Sequence, residues 1–193
     1  MTKTIYLVRH GQTFFNFHHK VQGRCDSPLT DLGIRQVVKT REYFKQAGLK
    51  FQYAYSSTQE RAVDTLEILV PQMPYVRLKD LRERDYGIYE GDDEYLLPWN
   101  NGGANTIETM EAPEDTVVRM SRAVSFILDR MEDGETALVA GHGEILARYL
   151  RFATGETAFP GFRNAAYARL EYADDNPEKA SFIETGWPAE GLA

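Results

Sequence analysis

One cysteine in 193 residues, Cys25, excludes an intramolecular disulfide and any metal site built from several cysteines. Long apolar runs are missing too. The run at residues 5–8, before Arg9 and His10, is too short for the core of a secretory signal, and no later stretch approaches a membrane span. Basic residues are in deficit, 22 Lys plus Arg against 29 Asp plus Glu for a net charge of −7. That balance weighs against nucleic acid or an anionic membrane as a partner, because both recruit Lys and Arg. No glycine-rich loop ends in Gly-Lys-Ser or Gly-Lys-Thr, so a P-loop triphosphatase is excluded. Internal repeats and low-complexity stretches are absent. These absences lead us to expect a cytoplasmic chain forming one domain over residues 1–193, long enough to bury roughly 70% of its unfolded surface without metal or cross-links.

What is there alternates. Residues 5–8 form a continuous apolar, β-rich run that breaks at Arg9-His10-Gly11, which reads as a buried strand feeding a polar loop. A helix capped by Thr30 or Asp31 should follow and end at Gly48. Further strands are expected at 51–55 and 75–78, with a helix at 59–69 stopped by Pro71. After Leu81, glycines, prolines and asparagines break any period until a helix resumes near Asp115 and closes at Asp133-Gly134. A strand at 136–140 runs into Gly141-His142-Gly143, followed by a helix at 145–152 and two last strands at 167–172 and 180–185. Apolar strands alternating with helices predict an α/β fold, a three-layer α/β/α sandwich with a mostly parallel central sheet. In such sheets ligands bind beyond the carboxyl ends of the strands. His10 and His142 both fall there.

Four pieces could carry chemistry, and each alone has a bland reading. Arg9 offers a permanent charge and a planar fork suited to phosphate or carboxylate, and His10 could be a base, a ligand or a nucleophile, yet the pair could equally be a solvated strand end. Arg61, one turn into the helix after the second strand, could add to the helix's N-terminal N–H groups or simply pair with Asp64. Glu83 sits among arginines that would depress its pKa, whereas a general acid needs burial or a nearby anion to raise it. His142 alone would pass for a structural histidine.

Together they form a pattern. The segments Leu7-Val8-Arg9-His10-Gly11-Gln12-Thr13 with Asn16, Gln22-Gly23-Arg24, Asp26-Ser27-Pro28-Leu29-Thr30 with Gly33, Ser56-Ser57 with Arg61-Ala62, Leu81-Arg82-Glu83 with Gly87 and Glu90-Gly91, and Gly141-His142-Gly143 occur in one order. In that order the chain resembles the histidine phosphatase superfamily, which includes cofactor-dependent phosphoglycerate mutase and many small phosphomonoesterases. The resemblance implies a phosphoglycerate mutase-like fold with His10 as a nucleophile that becomes a phosphohistidine. It implies Arg9, Arg61 and His142 around the phosphoryl oxygens and Asn16 as a neutral donor. Glu83 is implied as the general acid, and Gln22, Gly23 and Gly143 as substrate-binding positions. No metal and no cofactor are implied; the partner is a small phosphorylated substrate.

Rival chemistries fit less well. A cysteine-dependent phosphatase needs arginine six residues after its nucleophile, and that position after Cys25 is Asp31. His18 and His19 lack a third ligand at zinc spacing and are expected in solvent, or with Lys20 and Arg24 against an acidic substrate group. Residues 85–118, read as a roof inserted over the pocket, hold no Lys or Arg but nine acids: Asp85, Glu90, Asp92, Asp93, Glu94, Glu108, Glu111, Glu114 and Asp115. A mutase must retain a bisphosphorylated intermediate, so an acidic roof favours a phosphomonoesterase and should disfavour a second strong anion. Mutase-type transfer and a catalytically silent scaffold are the alternatives. Phe14, Phe15, Phe17, Tyr95, Leu96, Leu97 and Trp99 suggest a partly apolar leaving group, or packing of the roof onto the core.

Overall fold

The computed structural model of the chain describes residues 2–192. Its strands β1 (Lys3–Arg9), β2 (Tyr53–Ser57), β3 (Val76–Leu78), β4 (Thr136–Gly141), β5 (Tyr167–Tyr172) and β6 (Ser181–Gly186) form one sheet in the order β3-β2-β4-β1-β5-β6. β1 to β4 run parallel, β5 pairs antiparallel with β1, and β6 pairs antiparallel with β5. Besides the one-turn α1 (Phe14–Phe17), the helices are α2 (Asp31–Gln46), α3 (Glu60–Leu69), α4 (Pro113–Leu128) and α5 (Gly143–Thr154).

The unbroken apolar run of β1 is explained by burial on both faces. Ile5 and Leu7 pack with Ala137 and Val139 against α4 and α5, through Val124, Ile127, Ile145 and Leu146. Tyr6 and Val8 pack with Ala54 and Leu138 against α2 and α3, through Val37, Phe44 and Leu66. The expected three layers are present. The edge strands β3 and β6 are the exceptions in burial, with Val76 and Ile183 exposed.

Caps follow the sequence signals. The Thr30 hydroxyl accepts from the Gly33 N–H at 3.0 Å, and α5 closes at Gly155 in the left-handed region, φ 75°. Gly33 has a second reason to be glycine: a Cβ there would stand 2.0 Å from the Gln12 carbonyl oxygen, so the loop leaving β1 lies directly on the start of α2.

Residues 85–112 contain three short 3-10 turns around a small cluster of Val21, Tyr86, Leu97 and Met110. The expected roof is thus shorter than 85–118, because Pro113 already opens α4. Glu114 and Asp115 fall in its first turn, where they complement the helix dipole. The remaining acids are largely committed to internal partners. The Glu90 carboxylate accepts the N–H groups of Gly23, Arg24, Cys25 and Tyr86 at 2.8–3.1 Å, Glu111 pairs with Arg119 at 2.6 Å, and Asp93 with Lys20 at 2.7 Å. Glu90 latches the roof to the 22–25 loop. Glu90→Gln keeps the shape but turns a donor toward those N–H groups, so stability should drop by about 2 kcal/mol, roughly 4–8 °C in melting temperature. An unchanged melting curve would contradict the latch.

Candidate active site

β1 and β4 are neighbours in register, with Arg9 opposite Gly141, so His10 and His142 emerge side by side from the carboxyl edge of the sheet. Their rings meet edge-on with centroids 5.3 Å apart. The His10 backbone is pinned from several directions: its N–H donates to the Gly141 carbonyl at 3.0 Å, and its own carbonyl accepts from Ala165 N–H at 3.1 Å. His10 Nδ1 lies 2.7 Å from the Gly11 carbonyl oxygen. A carbonyl can only accept, so Nδ1 carries the proton and the lone pair belongs to Nε2. Burial, then the charges of Arg61 and Arg9, hold His10 well below the usual imidazole pKa, so the ring is neutral at pH 7. That is the form a nucleophile requires.

Several polar atoms next to it have no hydrogen-bond partner among the described residues. Arg9 Nε, Arg61 Nε, Gln22 Nε2 and both nitrogens of His142 are buried and unpaired. The Arg9, Gln22 and Arg61 side chains are otherwise anchored. Arg9 Nη1 donates to the Phe162 carbonyl at 2.7 Å, and Gln22 Oε1 accepts from the Thr13 hydroxyl at 2.7 Å. Arg61, fully buried, spends Nη1 and Nη2 on the carbonyls of Cys25 and Gly23 at 3.0 and 2.9 Å and pairs with Asp26 at 2.8 Å. Asn16 Oδ1 accepts from Asn164 and from Thr13 N–H at 3.0 and 3.2 Å, which leaves its amide N–H₂ for the pocket. Buried donors left unpaired cost about 1–3 kcal/mol each, a cost that an oxyanion would remove. Burial, then Arg61, also keeps His142 neutral, and as the N-cap of α5 it stands at the positive end of that helix.

The sign of the pH effect follows. Unfolded, both rings protonate below about pH 6.5; folded, they do not until well lower, so stability should fall by about 1.4 kcal/mol per pH unit for each ring as the pH drops below about 6.5. Urea midpoints at pH 7 and pH 5 check this. Equal midpoints would contradict it.

Glu83 meets the same N-terminus of α5. Its Oε2 accepts the Glu144 N–H and its Oε1 the Ile145 N–H, both at 3.0 Å. Burial, then the Glu144 charge, raises its pKa above the usual carboxylate value despite these bonds. The guanidiniums flanking it in sequence do not pair with it: that of Arg82 donates to Thr58 and that of Arg84 to Glu144 at 3.1 Å, while the Arg84 backbone N–H donates to Glu83 Oε1 at 2.9 Å.

These groups border a cleft of about 650 Å³ whose walls include Arg9, His10, Asn16, Gln22, Glu83 and Gly143. Arg61 and His142 lie buried beneath them. Gly143 serves by its absence of a side chain, since a Cβ there would stand 3.1 Å from Arg9 Nε. Gly23 is not on the wall; it holds Arg61 through its carbonyl and is held by Glu90 through its N–H. Of the aromatic and apolar residues that suggested an apolar leaving group, Leu97 and Trp99 reach the cleft, whereas Phe14, Phe17, Tyr95 and Leu96 face solvent. His18 and His19 are exposed, and burial together with Glu90 pushes the Cys25 thiol up to about 12, far from a nucleophile.

Sequence reasoning missed two basic residues of the cleft, Arg151 and Arg163; Lys20, which it set against an acidic substrate group, lines the cleft but pairs with Asp93. A signal for one was present. Gly143, Ala147 and Arg151 fall four apart on the helix that His142 opens, so they form one stripe. Among the described residues no three His, Cys, Asp or Glu side chains are grouped as metal ligands, and no helix is long and apolar enough to cross a membrane.

Comparison with known proteins agrees with the geometry. The family model described as "Histidine phosphatase superfamily (branch 1)" matches residues 5–185. A curated relative, "Probable phosphoglycerate mutase GpmB" of Yersinia pestis (strain Pestoides F), is 28% identical over 201 residues, covering 96% of this chain and 90% of the relative. Among solved structures, phosphoglycerate mutase from Bacillus anthracis str. Sterne superposes with a TM-score of 0.83 at 22% identity, covering 99% and 95% of the two chains. Mycobacterial glucosyl-3-phosphoglycerate phosphatase superposes with a TM-score of 0.81 at 21% identity, covering 95% and 97%.

Proposed function

The chain belongs to the histidine phosphatase superfamily, and on that premise we propose that it is a metal-independent phosphomonoesterase acting on small phosphorylated metabolites. The observation that carries this reading is the set of partnerless buried donors on Arg9, Arg61, Gln22 and His142 beside a histidine whose tautomer leaves Nε2 free. A phosphoryl group placed there satisfies the donors and presents phosphorus to the lone pair.

Chemistry then runs in two displacements. His10 Nε2 attacks phosphorus as the ester P–O bond breaks, and Glu83 gives its proton to the departing alkoxide. The Nδ1–H to Gly11 bond stabilises the charge that develops on the ring. Water next attacks phosphorus, losing its proton to the Glu83 carboxylate, and the P–N bond breaks to give inorganic phosphate and the starting imidazole. The guanidiniums supply fixed positive charge to the equatorial oxygens and the neutral His142 ring supplies an N–H donor, which is the main demand of a loose phosphoryl transfer. The expected setting is cytoplasmic, with no nucleic acid or membrane partner.

Mutase-type transfer is the second reading, supported by the name of the Yersinia relative. Against it stands the segment 85–112, which offers no Lys or Arg to retain a bisphosphorylated intermediate. Incubation with 3-phosphoglycerate and a trace of 2,3-bisphosphoglycerate separates the two. Phosphate release should outpace formation of 2-phosphoglycerate; the reverse order would establish the mutase.

A further inference from the structure

We infer that Gln59, which stands off the cleft wall, is a positioning residue that fixes Glu83 relative to the anchorage of Arg61. Its role deepens the reading above and rests on Glu83 being the general acid.

Gln59 is the N-cap of α3, a place where a polar side chain ordinarily turns back to serve its own helix. This one does not. It makes no cap bond, and the first N–H of the helix, that of Glu60, goes instead to the Asp26 carboxylate at 2.6 Å. Gln59 is nonetheless buried, and a buried amide needs partners.

It finds them on two separate segments, 36 and 24 residues away in the chain. Nε2 donates to the Gly23 carbonyl at 2.5 Å, with the Arg24 carbonyl at 3.4 Å, while Oε1 accepts the Glu83 N–H at 2.8 Å. Carbonyls only accept and a peptide N–H only donates, so the amide has one orientation. The Gly23 carbonyl is also the oxygen that takes Arg61 Nη2 at 2.9 Å. One side chain therefore joins the backbone of the acid to the oxygen that holds the phosphoryl clamp.

The two ends depend on it unequally. Without Gln59, Arg61 keeps the Cys25 carbonyl at 3.0 Å and Asp26 at 2.8 Å. Glu83 keeps Arg119 on its carbonyl at 3.0 Å, but its buried N–H loses the acceptor that ties it to Gly23. The segment must then shift or leave a donor unpaired. A displacement of about 1 Å at a reacting group costs about 10²-fold, so the effect falls on proton transfer to the leaving group rather than on phosphoryl binding.

The test compares glycerol 3-phosphate, whose alkoxide needs a proton, with 4-nitrophenyl phosphate, whose phenolate does not. In Gln59→Met, of similar length but without donor or acceptor, kcat/KM should fall by about 30-fold on the first and by less than about 3-fold on the second. Built onto Glu83→Gln, the same substitution should cost less than about 2-fold on either substrate, because Gln59 acts through the acid. Losses that are equal on the two substrates or absent from both, or a full loss that persists in Glu83→Gln, would overturn the role. Gln59→Leu repeats both comparisons with a branched side chain, and the first is a ratio within one protein, so a smaller folded fraction cancels. Glu83→Gln alone reports on the underlying reading, and its selective loss on glycerol 3-phosphate can hold while that of Gln59→Met fails.

Discussion

Replacing His10 by alanine should reduce phosphate release from every phosphomonoester by about 10⁴-fold or more, since no other group can take over the attack. His142 is fully buried beneath the cleft wall, and the Cys25 thiol is half-buried with its pKa pushed up to about 12. Loss of the ring also removes the bond to the Gly11 carbonyl, but the backbone of residue 10 remains held by Gly141, Ala165 and Asn164. The variant should therefore fold, and its melting curve should stay cooperative. Steady-state release measured at high enzyme concentration checks the loss. A fall of less than about 10-fold in a folded variant would move the nucleophile elsewhere.

The second large effect belongs to Glu83→Gln and should depend on the leaving group. An alkyl alkoxide needs a proton as the P–O bond breaks, so the variant should lose about 10²- to 10⁴-fold on alkyl phosphates. A nitrophenolate leaves without help, and the loss on 4-nitrophenyl phosphate should be below about 10-fold in the first displacement. Because the glutamine amide also faces the N–H groups of Glu144 and Ile145, some stability is lost with it. The ratio between the two substrates is independent of the folded fraction. Equal losses would remove Glu83 from the role of acid.

The pH profile carries the same assignment. Burial and Glu144 raise the pKa of Glu83, while burial and two arginines lower that of His10. With alkyl phosphates, kcat/KM should persist into mildly acidic solution, where His10 is still neutral and Glu83 protonated, and decline as the pH rises through the raised value of Glu83. Glu83→Gln should abolish that decline.

Much of this site was legible in the sequence because its central residues are set by strand ends. Four buried residues before Arg9-His10 and a second apolar strand before His142 sufficed to place both histidines on one edge. Glu83 was placed, but its environment was misjudged from its neighbours. Arg82 and Arg84 adjoin it in the chain, yet their guanidiniums reach Thr58 and Glu144 instead. The acidic segment misled in the same way, since Glu90 and Asp93 find their partners in residues 20–25. Arg163 was invisible because its place depends on a loop held by Arg9 from the opposite end of the chain. Local pattern reveals where a side chain starts. Long-range hydrogen bonds decide what it meets.

The most direct measurement is rapid mixing of the protein with a ³²P-labelled phosphomonoester, chased with unlabelled substrate for varied times and then quenched in alkali. Phosphate should first appear on His10, as an alkali-stable and acid-labile adduct located by mass spectrometry, and should chase into inorganic phosphate at the turnover rate. Label that never attaches to His10, or that chases into a second phosphorylated metabolite rather than into phosphate, would contradict a phosphomonoesterase working through phosphohistidine.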